Sequence, residues 1–215
     1  GVFVRSYLMA FAIGLLISWA LTPSVKRLAF RLGAIDKPNK RKVHHSIMPR
    51  LGGLAIYFGF TIATITCMQL TRDVVGILLG GTVITAIGVL DDIFQLTAKA
   101  KLLGQIVAAF VLVFFGIRIA WLNNPWGGSL YVDYLSIPFT VFWVISFTNV
   151  VNLMDGLDGL AAGVSAIASV TVILVALQQG FYSVAVVTAA LAGATIGFIR
   201  YNFNPATIFM GDTGS

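Results

Sequence analysis

The chain is poor in charge, and its acidic residues are all of one kind. It contains no glutamate, so its eight acidic residues are all aspartates. Charged residues make up only 10% of the chain, against about 25% in globular proteins, which excludes an ordinary soluble domain. The single cysteine, Cys67, excludes an intramolecular disulfide. The adjacent His44 and His45 have no neighbouring Cys or Glu, so they do not predict a zinc site.

Apolar residues fill most of the chain instead. They account for 58% of the residues, and the mean hydropathy is +0.94. A membrane-spanning helix needs about 20 apolar residues, and several runs meet that condition. We therefore predict an all-α fold, a polytopic integral membrane helical bundle of about seven transmembrane helices in one domain, residues 1–215. The predicted runs are 3–22, closed by Pro23, then 51–70, 74–90, 102–120, 137–151, 160–177 and 181–199.

The basic residues predict the orientation of this bundle. Eleven of the fourteen follow odd-numbered runs, where the positive-inside rule expects the cytoplasm. The N-terminus is then outside and the odd loops are cytoplasmic. The net charge of +6 is explained by this topology and by attraction to the lipid bilayer, so we expect no nucleic-acid partner. The eleven residues are Lys26, Arg27, Arg31, Lys37, Lys40, Arg41, Lys42, Arg50, Lys99, Lys101 and Arg200.

Five of the aspartates lie in three short motifs, each of which follows an odd-numbered run. A carboxylate at a membrane helix centre costs on the order of 3 kcal/mol or more, so such groups are usually kept for function. The predicted topology brings all three motifs to the cytoplasmic face, where distant segments can form one pocket. The motifs are Asp91-Asp92, Asp155 with Asp158, and Asp212.

The middle motif has the clearest chemistry. Asn149, Asn152, Asp155 and Asp158 recur every third residue, which predicts one stripe on a helix. Carboxylate and amide oxygens suit Mg²⁺, and the neighbouring glycines allow a ligand to approach the backbone. A purely structural interpretation remains open for every motif. The alternatives are a solvated helix end at Asp91-Asp92, hydrogen-bonding between helices at the middle motif, a capped turn at Asp212 and a solvated basic loop at 37–50.

Together, these motifs resemble the polyprenyl-phosphate N-acetylhexosamine-1-phosphate transferases, a group of the glycosyltransferase family 4 type. The most specific segments are Asn-Leu-Met-Asp-Gly-Leu-Asp-Gly from Asn152 and Asn-Phe-Asn-Pro-Ala-Thr-Ile-Phe-Met-Gly-Asp from Asn202. The basic stretch 36–53 looks most like the initiators of teichoic acid synthesis. A member of the peptidoglycan branch would be expected to carry a Thr-Pro-Thr-Met-Gly-Gly-like sequence there instead.

The resemblance implies a reaction and its setting. N-Acetylglucosamine 1-phosphate would pass from UDP-GlcNAc to undecaprenyl phosphate, releasing UMP and starting a cell-envelope glycan. The site would face the cytoplasm at the bacterial cytoplasmic membrane and would use Mg²⁺, with Mn²⁺ as a substitute. A homodimer is expected only from the resemblance. The resemblance also implies further helices and a His-rich loop beyond Ser215, so we expect this domain to be truncated at its C-terminal end.

The resemblance also implies a role for individual residues. Asp158 would accept a hydrogen bond from the uracil, and Phe209 would stack on it. A phosphate monoester has a second pKa of about 6 and is mostly dianionic at neutral pH, so a strong general base is not required. The implied catalytic residues are Asp91, Asp92, Lys99 and Asp155; the metal ligands are Asp212 and Asn152; the substrate-binding residues are Asp158, Gly156, Asn202 and Phe209.

Three other functions are compatible with the sequence. The same transfer could use another donor, such as UDP-MurNAc-pentapeptide. A transporter or channel could use the aspartates as an ion relay, but this would favour carboxylates near the bilayer midplane rather than at helix ends. A scaffold without catalysis would not need to bind a UDP-sugar.

Overall fold

The described part of the protein is mostly helical, as the sequence predicts. The computed structural model describes residues 2–36, 48–49, 51–116, 121–123, 129–131 and 182–202, residues 208 and 210, and separate helical residues between 137 and 174. Two short antiparallel ladders accompany the helices. The elements are α1 (Val2–Leu32), β1 (Ile35–Asp36), β2 (Met48–Pro49), α2 (Gly53–Cys67), α3 (Arg72–Phe94), α4 (Ala98–Phe114), β3 (Trp121–Asn123), β4 (Ser129–Tyr131) and α5 (Tyr182–Asn202).

Three described helices are long and apolar enough to cross a membrane. They comprise Arg5–Leu32 of α1, Arg72–Phe94, and Val184–Asn202 of α5, and the shorter apolar helix Gly53–Cys67 lies among them. The polytopic helical bundle is therefore confirmed. The predicted runs 137–151 and 160–177 lie mostly outside the described residues.

Pro23 does not end the first helix, so that part of the prediction is wrong. α1 continues through Pro23 to Leu32. A proline inside a helix has no N–H for the carbonyl four residues earlier, which here belongs to Trp19. The Tyr201 hydroxyl of α5 donates to that carbonyl oxygen at 3.2 Å. One hydrogen bond between helices thus replaces the one that Pro23 cannot make.

Helices α1, α2 and α5 form one tightly packed unit because small residues line their contacts. A Cβ added at Gly14 would lie 2.6 Å from the Ala190 carbonyl oxygen, and one at Gly59 would lie 2.7 Å from the Gly14 carbonyl oxygen. Gly193 and Gly197, spaced as in a Gly-x-x-x-Gly motif, lie against the backbone of α1. Small residues at this spacing let membrane helices approach backbone to backbone.

Helices α3 and α4 form a separate antiparallel pair. In this pair the glycines pack mainly against side chains of the other helix rather than against its backbone. Gly80 lies against the Leu112 side chain, and Gly104 lies against the Ile87 side chain. At one end of the pair, the Arg72 guanidinium donates to the Phe114 carbonyl oxygen at 2.7 Å. That carbonyl belongs to the last turn of α4, where the helix leaves carbonyl groups without partners.

One apolar cluster brings several helix ends together. It contains residues from the C-terminal half of α1, the start of α2 and the C-terminal half of α5, and Val89 and Ile93 of α3 pack against it. The last turns of α1, α3 and α5 therefore lie at the same end of the bundle, which we call the acidic end because α3 carries Asp91 and Asp92 there. The β1–β2 ladder adjoins this end and joins the two flanks of the basic stretch 37–47. This agrees with the predicted alternation of the helices.

Candidate functional site

The aspartate pair lies within the last turn of α3 rather than after it. The predicted run ended at residue 90, but the helix continues to Phe94. Asp91 is 7% exposed and Asp92 is 2% exposed, so a solvated helix end is the wrong interpretation. The C-terminus of a helix carries a partial negative charge and disfavours carboxylates. Two buried carboxylates at this position therefore need nearby cations.

Asp91 organises the turn between α3 and α4. Its carboxylate accepts a hydrogen bond from the Leu96 backbone N–H at 2.9 Å. Its backbone carbonyl accepts one from the Gln95 N–H at 2.8 Å. Gln95 has the left-handed conformation that commonly ends helices, with φ 53°. Thr97 then caps α4 by accepting a hydrogen bond from the Ala100 N–H. Residues 95–97 thus form a tight turn between the capped ends of the two helices.

The cation that meets Asp91 is Lys101. Its ammonium nitrogen lies 3.3 Å from the second carboxylate oxygen of Asp91. The predicted catalytic lysine, Lys99, is exposed near the start of α4. Positions two apart on a helix point about 200° apart, so Lys99 and Lys101 cannot both face α3. The sequence did not separate them, because the geometry of the turn decides which of the two faces the aspartate.

A cavity of about 430 Å³ opens beside this ion pair. Its lining includes the ammonium-bearing Lys101 and, one helical turn later, Gln105, which is 4% exposed. Sequence reasoning missed Gln105 because one glutamine in an apolar run gives no motif. Its spacing of four from Lys101 is the only sequence signal that could have identified it. The lining residues are Leu96, Ala98, Lys101, Leu102 and Gln105.

Asn202, at the end of α5, is buried at the acidic end. It is 1% exposed, and its side-chain amide donates to the Ile208 carbonyl oxygen at 2.9 Å. Met210, 2% exposed, accepts a hydrogen bond through its carbonyl oxygen from the Gly53 N–H of α2 at 2.9 Å. Two residues of the specific segment 202–212 are thereby fixed to α5 and α2. The predicted substrate contact of Asn202 stays a prediction.

The structure brings together part of the predicted site. Asp91, Asp92 and Asn202 lie at the acidic end, while Asn152, Asp155, Gly156, Asp158, Phe209 and Asp212 lie outside the described residues. Within the described part of the chain, no three His, Cys, Asp or Glu side chains are grouped as metal ligands. The Mg²⁺ ligands therefore stay predictions.

Comparison with known proteins gives a consistent result. The sequence model of Glycosyl transferase family 4 matches residues 74–215. The chain is 41% identical over 209 residues to a Bacillus subtilis protein named probable undecaprenyl-phosphate N-acetylglucosaminyl 1-phosphate transferase, covering 96% of this chain and 58% of that protein. It is 38% identical over 235 aligned residues to decaprenyl-phosphate N-acetylglucosaminephosphotransferase of Mycobacterium tuberculosis, covering 100% of this chain and 58% of that protein.

A third relative comes from a different branch. Phospho-N-acetylmuramoyl-pentapeptide-transferase of Halalkalibacterium halodurans is 33% identical over 231 aligned residues, covering 100% of this chain and 71% of that protein. The chain thus spans 58% of the length of the first two relatives. The match includes α3 from Val74 onward, all of α4 and α5, and the segment after α5. The chain that carries the buried Asp91-Asp92 pair belongs to glycosyl transferase family 4.

Proposed function

We propose that the complete protein transfers N-acetylglucosamine 1-phosphate from UDP-GlcNAc to undecaprenyl phosphate, releasing UMP at the cytoplasmic face of the bacterial membrane. The observation that carries this proposal is the buried Asp91-Asp92 pair at one end of an apolar bundle. The segment from Asn202 begins at the same end. A water-soluble nucleotide can reach a bundle end, where the phosphate of a membrane lipid is also found.

The reaction involves phosphates, so it needs local positive charge. Both reacting groups are anionic, and enzymes of this kind act mainly by positioning them and neutralising developing charge. Lys101 already supplies one cation beside Asp91. Adjacent buried carboxylates at a helix C-terminus also attract a cation, because the helix dipole and both carboxylates contribute negative potential.

Mg²⁺ fits the donor chemistry of this region. The ion prefers carboxylate and amide oxygens and keeps several waters, and the candidate ligands Asp212 and Asn152 supply such oxygens. Asp91 and Asp92 add buried carboxylates at the acidic end. Bound Mg²⁺ would neutralise the pyrophosphate of the sugar nucleotide. Asp158 and Phe209 would hold the uracil, with Gly156 leaving room for the nucleotide and Asp155 supporting the metal ligands.

The two aspartates are given different tasks. Asp91 already has the Leu96 N–H and Lys101 as partners, so it holds the α3–α4 turn and orients the lysine. Asp92, at 2% exposed, acts on the lipid phosphate side. Because that phosphate is mostly dianionic at neutral pH, Asp92 is required for positioning rather than for removing a proton.

The test is UMP release by the complete protein with Mg²⁺, UDP-GlcNAc and undecaprenyl phosphate. We expect Asp92→Asn to lower kcat at least about 100-fold, in the range of a lost electrostatic contact to a transition state. Asp73→Asn is the matched control, because Asp73 is exposed in the first turn of the same helix. Wild-type turnover that survives Asp92→Asn unchanged would contradict the assigned role. Absence of UMP release by the wild type would contradict the proposed reaction.

A second donor has specific support. The relative named phospho-N-acetylmuramoyl-pentapeptide-transferase is 33% identical to this chain, so UDP-MurNAc-pentapeptide is the competing donor. The basic stretch 36–53 favours UDP-GlcNAc and a teichoic acid pathway. Assays with each donor alone separate the two. Turnover of UDP-MurNAc-pentapeptide without turnover of UDP-GlcNAc would establish the alternative.

A further inference from the structure

The segment that follows α5 is fixed at two points. Asn202 donates its side-chain amide to the carbonyl of Ile208, six residues later, at 2.9 Å. The Gly53 N–H of α2 donates to the carbonyl of Met210 at 2.9 Å. Ile208 is fully buried and Met210 is 2% exposed, both in the apolar cluster that includes Leu51 and Phe198. The two hydrogen bonds therefore act in a dry environment, where losing a partner is costly.

Ile208 and Met210, the residues that these two hydrogen bonds hold, come shortly before Asp212, the candidate metal ligand, in the sequence. Met210 precedes Asp212 by two residues, and two residues of extended chain reach at most about 7 Å. The position of Met210 therefore limits the possible positions of Asp212. Only the Asn202 tie depends on a side chain, since the Gly53 tie uses backbone atoms alone. Among these residues, the identity of the side chain matters most at Asn202.

The Asn202 side chain is used in an asymmetric way. Its amide nitrogen donates to the Ile208 carbonyl oxygen. Its amide oxygen is buried and has no hydrogen-bond partner within the described part of the chain. An unpartnered buried acceptor costs free energy, on the order of 1–3 kcal/mol. A leucine of similar size would avoid that cost but could not donate to Ile208. The donor function toward Ile208 therefore explains why an asparagine is placed here.

We propose that Asn202 is a positioning residue that clamps Ile208 to the end of α5 and so helps to orient Asp212, the proposed ligand of the Mg²⁺ of the site. The proposal rests on the proposed function, because it assumes that Asp212 is a metal ligand. It gives Asn202 a task beyond lining the nucleotide. Residues that orient metal ligands without touching the metal typically contribute about 10- to 100-fold to metal affinity.

Metal binding by the complete protein, measured without substrates, tests the clamp. The apparent Mg²⁺ affinity is read from the rise in melting temperature with Mg²⁺ concentration. We expect Asn202→Ala to weaken it at least about tenfold. Asn202→Asp keeps the size of the side chain but cannot donate while ionised, so it should have a similar effect. kcat measured at a fixed low Mg²⁺ concentration should fall, and saturating Mg²⁺ should restore part of it.

The matched control is Thr195→Val. Thr195 is 2% exposed on the same helix and donates within α5 to the Leu191 carbonyl at 2.7 Å. This substitution should lower the melting temperature while leaving Mg²⁺ affinity unchanged.

Unchanged Mg²⁺ affinity in both Asn202 variants would overturn the clamp. Equal weakening of Mg²⁺ affinity by Thr195→Val, or failure of both Asn202 variants to fold, would also overturn it. If the wild type turns over substrate and the variants bind Mg²⁺ normally, only the clamp fails; if the wild type neither binds Mg²⁺ nor releases UMP, the proposed function fails with it.

Discussion

The unit formed by α1, α2 and α5 and the pair formed by α3 and α4 both use glycine, but in different ways. In the first unit, glycines bring backbones into contact, as at Gly14 with the Ala190 carbonyl. In the second, each glycine makes room for a branched side chain, as at Gly104 with Ile87. A side chain can change its rotamer, whereas a helix backbone can only move as a whole. The first unit is therefore expected to be the rigid part of the bundle.

The two regions also divide the chemistry. The α3–α4 pair carries the buried carboxylates and Lys101. Helix α5 holds Ile208, on the segment that leads to Asp212. The rigid unit thus supplies a fixed support for one side of the site. The α3–α4 pair supplies the charged groups of the other side.

The largest expected effect is at the contact between α1 and α5. Gly193→Ala places a methyl group against the backbone of Phe11, and neither helix can yield without moving. Overpacking of this kind costs about 1–3 kcal/mol, and the better helix propensity of alanine offsets about 1 kcal/mol. We place this site at the upper end of the overpacking cost and therefore expect a net loss of about 2 kcal/mol in the free energy of unfolding. It is measured as a lower melting temperature in detergent.

The same substitution in the other pair provides the comparison. Gly80→Ala meets Leu112 side-chain atoms at 2.9 and 3.1 Å, which can shift, so the net change should stay within about 1 kcal/mol. Gly81→Ala meets nothing within 4 Å and should be neutral or slightly stabilising. Equal melting temperatures for the Gly193 and Gly80 variants would abolish the distinction between the two regions.

A smaller effect is expected where the α3–α4 pair carries its ion pair. A double-mutant cycle of Asp91→Asn and Lys101→Met should give a coupling free energy of about 1 kcal/mol, reduced at high salt because the lysine is partly exposed. Thermal stability in detergent at two salt concentrations measures it. The matched cycle replaces Lys101→Met with Lys99→Met and should give a coupling near zero. A larger coupling with Lys99 would reverse the assignment of the paired lysine.

The smallest effect is expected at the tie across Pro23. Tyr201→Phe removes the donor to the Trp19 carbonyl but keeps the ring. Because this hydrogen bond is long and exposed, we expect a loss of about 0.5 kcal/mol. If the tie matters only because of Pro23, Pro23→Ala should stabilise α1 and abolish the effect of Tyr201→Phe in the double variant. Additive effects of the two substitutions would show that the two are independent.

The sequence predicts the fold better than the ends of its helices. Apolar runs identify the described helices because a bilayer demands long apolar segments. The end at Pro23 is wrong because a contact from another segment supports a helix that its own sequence would stop: the Tyr201 hydroxyl of α5 donates to the Trp19 carbonyl oxygen. That contact joins residues that no local pattern connects. The end at residue 90 is wrong for a different reason, because Asp91 is itself helical and buried, and its carboxylate accepts the Leu96 N–H of the following turn.

For the site, the sequence identifies chemistry better than geometry. The carboxylate pair and the segment from Asn202 were predicted to meet at one end, and the described residues agree. The choice of Lys101 over Lys99 depends on where α4 begins, and a shift of two residues would reverse it. The burial of Asn202 accompanies its hydrogen bond to Ile208, six residues later in the chain. Neither result follows from residue type or spacing alone.

The backbone contact between α1 and α5 has a consequence for biosynthesis. Gly14 and Gly193 contribute to the same interface, although 178 residues separate them along the chain. At about 5–20 residues per second, a ribosome needs roughly 10 to 35 s to make the intervening segment. During that time the surface of α1 that faces α5 lacks its partner, although α2 is already made. Assembly of the rigid unit must therefore wait for the last described helix.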